Sequence, residues 1–177
     1  IEAYEASENK DKSIEGAINE LREWDMKSSK ESIAMTLANF YGRMVYMEGG
    51  TPENLSGNDR FNWYGTGLPM DERIRIFKMT CDKLTEDFGS WDIPWGDVNR
   101  FQRLNGDIDL KFDDNQPSIA VGLASSSWGS LAAYGMRGKH ENVKKIYGTR
   151  GNSFVAVVEF GEKVQAKSML AGGQSGD

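Results

Sequence analysis

Ser153-Phe154-Val155-Ala156-Val157-Val158-Glu159-Phe160-Gly161-Glu162 carries the strongest β signal in the chain. Phe154, Ala156, Val158 and Phe160 alternate with Ser153, Val155, Val157 and Glu159. One face is fully apolar and the other partly so, the pattern of a strand covered on both sides. Gly161-Glu162 predicts a two-residue hairpin turn with Gly first. Lys163 to Leu170 then returns antiparallel. A lone hairpin is not stable in water, so this one calls for further strands or a covering layer.

Upstream of it, helical spacing dominates. Ile14, Ala17, Ile18, Leu21 and Trp24 fall on one apolar stripe, and Asp25 ends or turns that helix. Residues 1–12 read as a polar lead-in. Ser28 and Glu31 have the spacing of a capping box. The buried face of the second helix is Ile33, Leu37, Phe40, Tyr41, Met44 and Val45, and Gly49-Gly50 stops it. Residues 49–68 read as a loop whose aromatics Phe61, Trp63 and Tyr64 pack onto something. A third helix starts near Pro69, shows Met70, Ile74, Phe77, Cys81, Leu84 and Phe88 on one face, and ends at Gly89. Beyond it come a short helical turn within 96–104, a polar loop over 105–118 and a short strand at Ile119-Ala120-Val121. Residues 122–151 are rich in Gly and Ser and give no clear pattern. Helices first and strands last predict an α+β fold, with a helical N-terminal half and late strands that include the antiparallel hairpin.

Composition narrows the function classes. The 177 residues are 38% hydrophobic and 27% charged, as in a soluble globular chain. The net charge of −6, with no Lys/Arg stripe, argues against a nucleic-acid surface. No run approaches about 18 apolar residues, so no membrane span is expected. Ile1 and the Gly-rich end at Asp177 read as cuts in a longer chain.

The chemistry-bearing residues are sparse. Cys81 is the only cysteine, so it can form neither an internal disulfide nor a metal cluster, and its apolar neighbours predict buried packing. His140, the only histidine, sits between Lys139 and Glu141, and the plain reading is an exposed side chain. Ser125-Ser126-Ser127-Trp128-Gly129 lacks the G-x-S-x-G elbow, and no base is assigned to it. Asp107, Asp109, Asp113 and Asp114 lack calcium-loop spacing and read as a solvated loop. No catalytic residue, no metal ligand and no cofactor follow from these patterns.

Three stretches in order carry a resemblance. They are Leu21-Arg22-Glu23-Trp24-Asp25 followed by Ser32-Ile33-Ala34; Trp95-Gly96-Asp97-Val98-Asn99-Arg100; and Gly151-Asn152-Ser153-Phe154-Val155-Ala156-Val157-Val158-Glu159-Phe160 continuing to Ala171-Gly172-Gly173-Gln174-Ser175-Gly176-Asp177. Together they resemble the penicillin acylase family, in particular its branch that cleaves acyl-homoserine lactones and lipopeptides. The resemblance implies an N-terminal-nucleophile hydrolase of αββα architecture, and a place for this chain in the C-terminal part of the large subunit. Residues 1–92 would be a helical scaffold region and 93–177 a loop-rich and β region, together one fragment of a larger acylase domain.

In that family an N-terminal serine attacks the amide, with its own α-amino group as base. Ile1 is no such serine, and no residue here aligns with a catalytic one. The partners implied are the small subunit and the rest of the large subunit, with an acyl-amide as substrate, no nucleic acid and no membrane. The compartment implied is periplasmic or secreted. Gln174 and Ser175, in a turn with three glycines, are expected to support the substrate cleft without doing chemistry. The rival reading is a non-catalytic binding module that keeps an acylase-like scaffold. An upstream Gly-Ser processing site would separate the two.

Overall fold

The structure, a computed structural model, describes residues 1–53, 55–106, 111–124, 134–136, 143–151 and 154–170. The chain divides into two compact units. One is Ile1–Asn99 with Ala120–Gly122, and the other is Arg100–Ile119 with Leu123–Asp177. The first is helical and the second holds the sheets, so the α+β expectation is met.

The helical unit opens with α1 (Glu2–Ala6), where a lead-in was expected. Tyr4 explains the difference: its ring is 2% exposed and belongs to the core. A 3-10 turn at Lys12–Ile14 leads into α2 (Glu15–Arg22). Asp11 caps that turn, its carboxylate accepting from Ser13 N at 2.9 Å and Ser13 Oγ at 2.6 Å. The helix stops before Trp24, whose indole instead donates to the Lys27 carbonyl at 2.9 Å. Asp25 Oδ1 accepts from Lys27 N at 2.9 Å, a side-chain turn that redirects the chain.

Helix α3 (Ile33–Glu48) does not use the expected capping box. Its N-cap is Ser32, which accepts from Met35 N at 3.0 Å, while the Ser28 hydroxyl donates to the Gly122 carbonyl. Residue 35 is Met, so no reciprocal carboxylate exists. The helix ends at Gly49, and Gly50 takes the left-handed conformation at φ +54°. Residues 49–68 are more ordered than a loop. They hold α4 (Gly57–Asn62) and a π-helical turn, Trp63–Gly67. Trp63 Nε1 donates to the Gly50 carbonyl at 2.9 Å, and Tyr64 packs on Tyr46 with ring centroids 5.8 Å apart.

Helix α5 (Met70–Phe88) runs from Pro69 to Gly89, the latter left-handed at φ +90°. It packs on α3 and buries Phe77, Cys81 and Leu84 in one core with Ile14, Ile18 and Leu37. Thr80 and Thr85 return their hydroxyls to the carbonyls four residues back, at 2.8 and 2.9 Å. Cys81 is 4% exposed, as the sequence suggested, and burial pushes its thiol up to about 12. A disulfide-exchange reagent at pH 8 should leave the folded chain unmodified, because only the thiolate attacks. Stoichiometric labelling without denaturant would refute that packing. The short α6 (Trp95–Val98) completes this unit, with Trp95 and Val98 both fully buried.

A four-stranded sheet of order β2-β1-β4-β3 is built from β1 (Asn99–Phe101), β2 (Ile119–Ala120), β3 (Tyr134–Met136) and β4 (Ile146–Gly151), all of it in the second unit except Asn99 and Ala120. β3 and β4 are antiparallel, with a register shift between Gly135 and Met136. Gln102, 4% exposed, clamps the following loop: Oε1 accepts from Asp113 N at 2.9 Å and Nε2 donates to the Asp113 carbonyl at 2.8 Å. Asp114, expected in a solvated loop, is a structural anchor. Its carboxylate accepts from Lys144 N at 2.7 Å and from the hydroxyl of fully buried Tyr147 at 2.9 Å. Phe112 stacks on Tyr147 with centroids 4.6 Å apart and planes 7° off parallel.

β5 (Phe154–Glu159) and β6 (Gln165–Leu170) form the expected antiparallel hairpin as a separate two-stranded sheet. Its turn differs. Glu159 pairs with Gln165, so five residues connect the strands and the register moves by one from that of a two-residue turn. The change puts Val158 opposite Ala166 and Val157 opposite Lys167. The strand is also not covered on both sides: Val157 is 69% and Val158 44% exposed.

Candidate functional site

His140, Ser125, Ser126, Ser127, Asp107, Asp109, Gln174 and Ser175 lie outside the described residues. Of the other chemistry-bearing side chains, Cys81 is in the core, Asp113 Oδ1 accepts from Asn115 within its own loop, and Asp114 ties that loop to Tyr147 of β4. Among the described residues no group of three His, Cys, Asp or Glu could hold a metal ion.

The Trp95-Gly96 pair has a structural role that its sequence does not announce. Trp95 N donates to the Ser32 carbonyl at 3.0 Å and Gly96 N to the Lys30 carbonyl at 2.7 Å. These two bonds lay α6 against the chain entering α3. The approach is so close that a Cβ at position 96 would stand 2.7 Å from Lys30 Cβ and 2.9 Å from its carbonyl oxygen. Gly122 meets the same segment from another direction, where a Cβ would lie 3.0 Å from Lys30 N. Asn99 joins the two contacts: its backbone oxygen accepts from Val121 N at 3.0 Å and its amide donates to the Val121 carbonyl at 2.8 Å.

The helical unit also has a cleft of about 320 Å³. Ile14, Ile18, Ile74 and Phe77 line it with hydrocarbon, and Glu2, Tyr4, Tyr41, Tyr64 and Arg73 add polar groups. Helix α5 and the π-helical turn position Arg73, whose Nε donates to the Leu68 carbonyl at 2.8 Å and Nη2 to the Thr66 carbonyl at 2.7 Å. Burial raises the Tyr41 phenol above its ordinary value, and the Arg73 charge opposes that shift. The volume is at the small end for a ligand pocket. The lining has no Ser, Thr, Cys, Lys or His. It can hold an apolar body with a polar tip, but it offers no nucleophile paired with a base. Sequence reading placed Ile74, Phe77 and Tyr41 on buried faces and did not single out Arg73. An Arg next to an aromatic-rich Gly stretch was the available signal.

No curated protein matches the chain. A family model described as penicillin amidase matches residues 2–177, nearly the full length. That match covers all three stretches on which the resemblance rested, and on it the chain belongs to the penicillin amidase family.

Proposed function

We propose that this chain is a C-terminal part of the large subunit of an amide hydrolase, of the branch that acts on acyl-homoserine lactones and lipopeptides. Family membership supports an amidase-type hydrolase function in general. In the proposed assignment residues 1–92 are helical scaffold, and 93–177 supply loops and late strands to an αββα core. The small subunit and the rest of the large subunit complete it, in the periplasm or outside the cell. The attacking serine belongs to the rest of the parent enzyme.

The carrying observation is the family match over residues 2–177, set beside a cleft whose lining holds no nucleophile paired with a base. The single thiol is buried, and the cleft is lined by no Ser, Thr or Cys. The exposed apolar strand of the hairpin supports the same reading, because it is a surface that further strands would cover. Among the described residues no helix is long and apolar enough to cross a membrane. The second reading, a binding module on the same scaffold, draws on the cleft, which offers contacts for a ligand without catalytic groups.

The chain alone should show no turnover of penicillin G, acyl-homoserine lactones or chromogenic acyl amides. Turnover that survives repurification and disappears in Ser127→Ala or His140→Ala would overturn the assignment. In the full-length parent, Gln174→Ala and Ser175→Ala should lower kcat/KM by roughly 5- to 150-fold with self-processing intact. That is the loss of one positioning hydrogen bond of about 1–3 kcal/mol felt in the transition state. Wild-type kinetics in both variants would reduce the turn to a surface connection.

A further inference from the structure

Thr36 and Asn39 lie one turn apart on α3, 0% and 2% exposed. Thr36 Oγ1 and both amide atoms of Asn39 are shut off from solvent with no hydrogen-bond partner. Buried polar atoms in folded proteins are paired, with protein or with ordered water.

The chain's other helical threonines show the ordinary remedy: Thr80 and Thr85 donate to the carbonyls four residues back. For Thr36 that carbonyl belongs to Ser32. Ser32 is the N-cap, and an N-cap carbonyl already accepts the first intrahelical bond. Its second lone pair takes the Trp95 N–H at 3.0 Å. Docking of α6 therefore removes the acceptor that Thr36 would otherwise use. Asn39 adds two donors and an acceptor to the same side of the helix.

The missing partner must both donate and accept. It must be small, because all three atoms are already enclosed. Neither Thr36 nor Asn39 carries charge, so the pair calls for a neutral partner. We infer that α3 carries an internal hydration site, with water held between Thr36 Oγ1 and the Asn39 amide. The water accepts from the Thr36 hydroxyl and from Asn39 Nδ2, with its protons available to Oδ1 and to a neighbouring water. Two to four such partners are what an internal water needs.

Water–protein cross-relaxation on the 15N-labelled 177-residue chain tests this. The Asn39 side-chain amide should show a cross-peak of the sign given by long-lived bound water. It should persist in Thr36→Ser and in Thr80→Val, which breaks a direct bond elsewhere, and vanish in Thr36→Val. Thr36→Val and Asn39→Leu should each lower Tm by about 2 to 8 °C. The double variant should lose less than the two shifts combined, because it leaves no orphaned polar atom. Absence of the cross-peak in the wild-type chain overturns the inference. Its survival in Thr36→Val does so as well, even if Asn39→Leu fails to fold.

Discussion

Gly96→Ala is expected to lower the stability of the helical unit by about 3 kcal/mol, a Tm loss of roughly 6 to 12 °C. The new methyl would sit 2.7 Å from Lys30 Cβ and 2.9 Å from the Lys30 carbonyl oxygen. A flexible side chain could swing clear, but a backbone carbonyl and a Cβ cannot. The chain at residue 30 must move away, and it takes the 2.7 Å bond from Gly96 N and the 3.0 Å bond from Trp95 N with it. Overpacking costs about 1–3 kcal/mol, and each weakened hydrogen bond adds about 0.5–1.5 kcal/mol. Gly161→Ala is the matched control, since its nearest new contact would be the Lys163 carbonyl at an ordinary 3.8 Å. Thermal melts of the two variants decide the matter. A Gly96→Ala chain melting within 2 °C of the parent means that the α6 contact is loose.

The second large effect is alkaline. Burial, then the Asp114 carboxylate, raise the Tyr147 phenol above its ordinary value of 10.0. Burial raises the Cys81 thiol from 9.0 to about 12. In both cases the folded chain holds its proton at a pH where the unfolded chain has lost it. Stability from each group is therefore complete below the unfolded value and is lost as pH climbs toward the folded one. The slope is about 1.4 kcal/mol per pH unit per group. At pH 11 the thiol costs the helical unit roughly 3 kcal/mol, and the phenol costs the sheet unit roughly 1.4 kcal/mol. Tyr147→Phe should start less stable at pH 7, by about 1.5–3 kcal/mol for a hydrogen bond to a carboxylate. Above pH 10 it should then lose stability less steeply than the parent. Urea titrations at pH 8, 10 and 11 read this directly. Parallel slopes for parent and Tyr147→Phe would show that the phenol ionises without resistance.

The elements readable from sequence are those whose punctuation and periodicity agree. Helix α5 has Pro69 before it, Gly89 after it and an unbroken apolar face, and its bounds follow. The hairpin strands were legible from alternation, but the turn was not. A Gly-first dipeptide suits a tight turn, yet the strands pair Glu159 with Gln165, which sets Ala156 against Ser168 and Val158 against Ala166. The N-cap of α3 was misplaced because Ser28-x-x-Glu31 mimics a capping box four residues early. Tertiary contacts decide there: the backbone of 29–32 receives Gly96, Trp95 and Gly122. Strand β4 was invisible because Gly148, Thr149 and Arg150 break the alternation that Ile146 and Tyr147 begin. Its anchor is Asp114, more than thirty residues away, a contact that no local pattern encodes. The Trp95-Gly96 stretch was found through family resemblance, and only the packing around Lys30 gives it a physical reason.

The hairpin has a consequence for how the chain folds. β5 and β6 are joined by five residues, whereas β1 and β4 lie nearly fifty residues apart. Local strand pairs close in about 1–10 μs, and long-range pairings wait on a larger loop entropy. The hairpin is thus expected to close before β1 and β4 pair, with Val157, Val158, Phe160 and Val164 in water from that moment. Its outer strand edges then present unpaired donors and acceptors while the four-stranded sheet is still forming. Recovery of native protein becomes a race between a first-order closure and a second-order encounter. Dilution and slow synthesis should therefore raise soluble yield more than any stabilising substitution in the helical core.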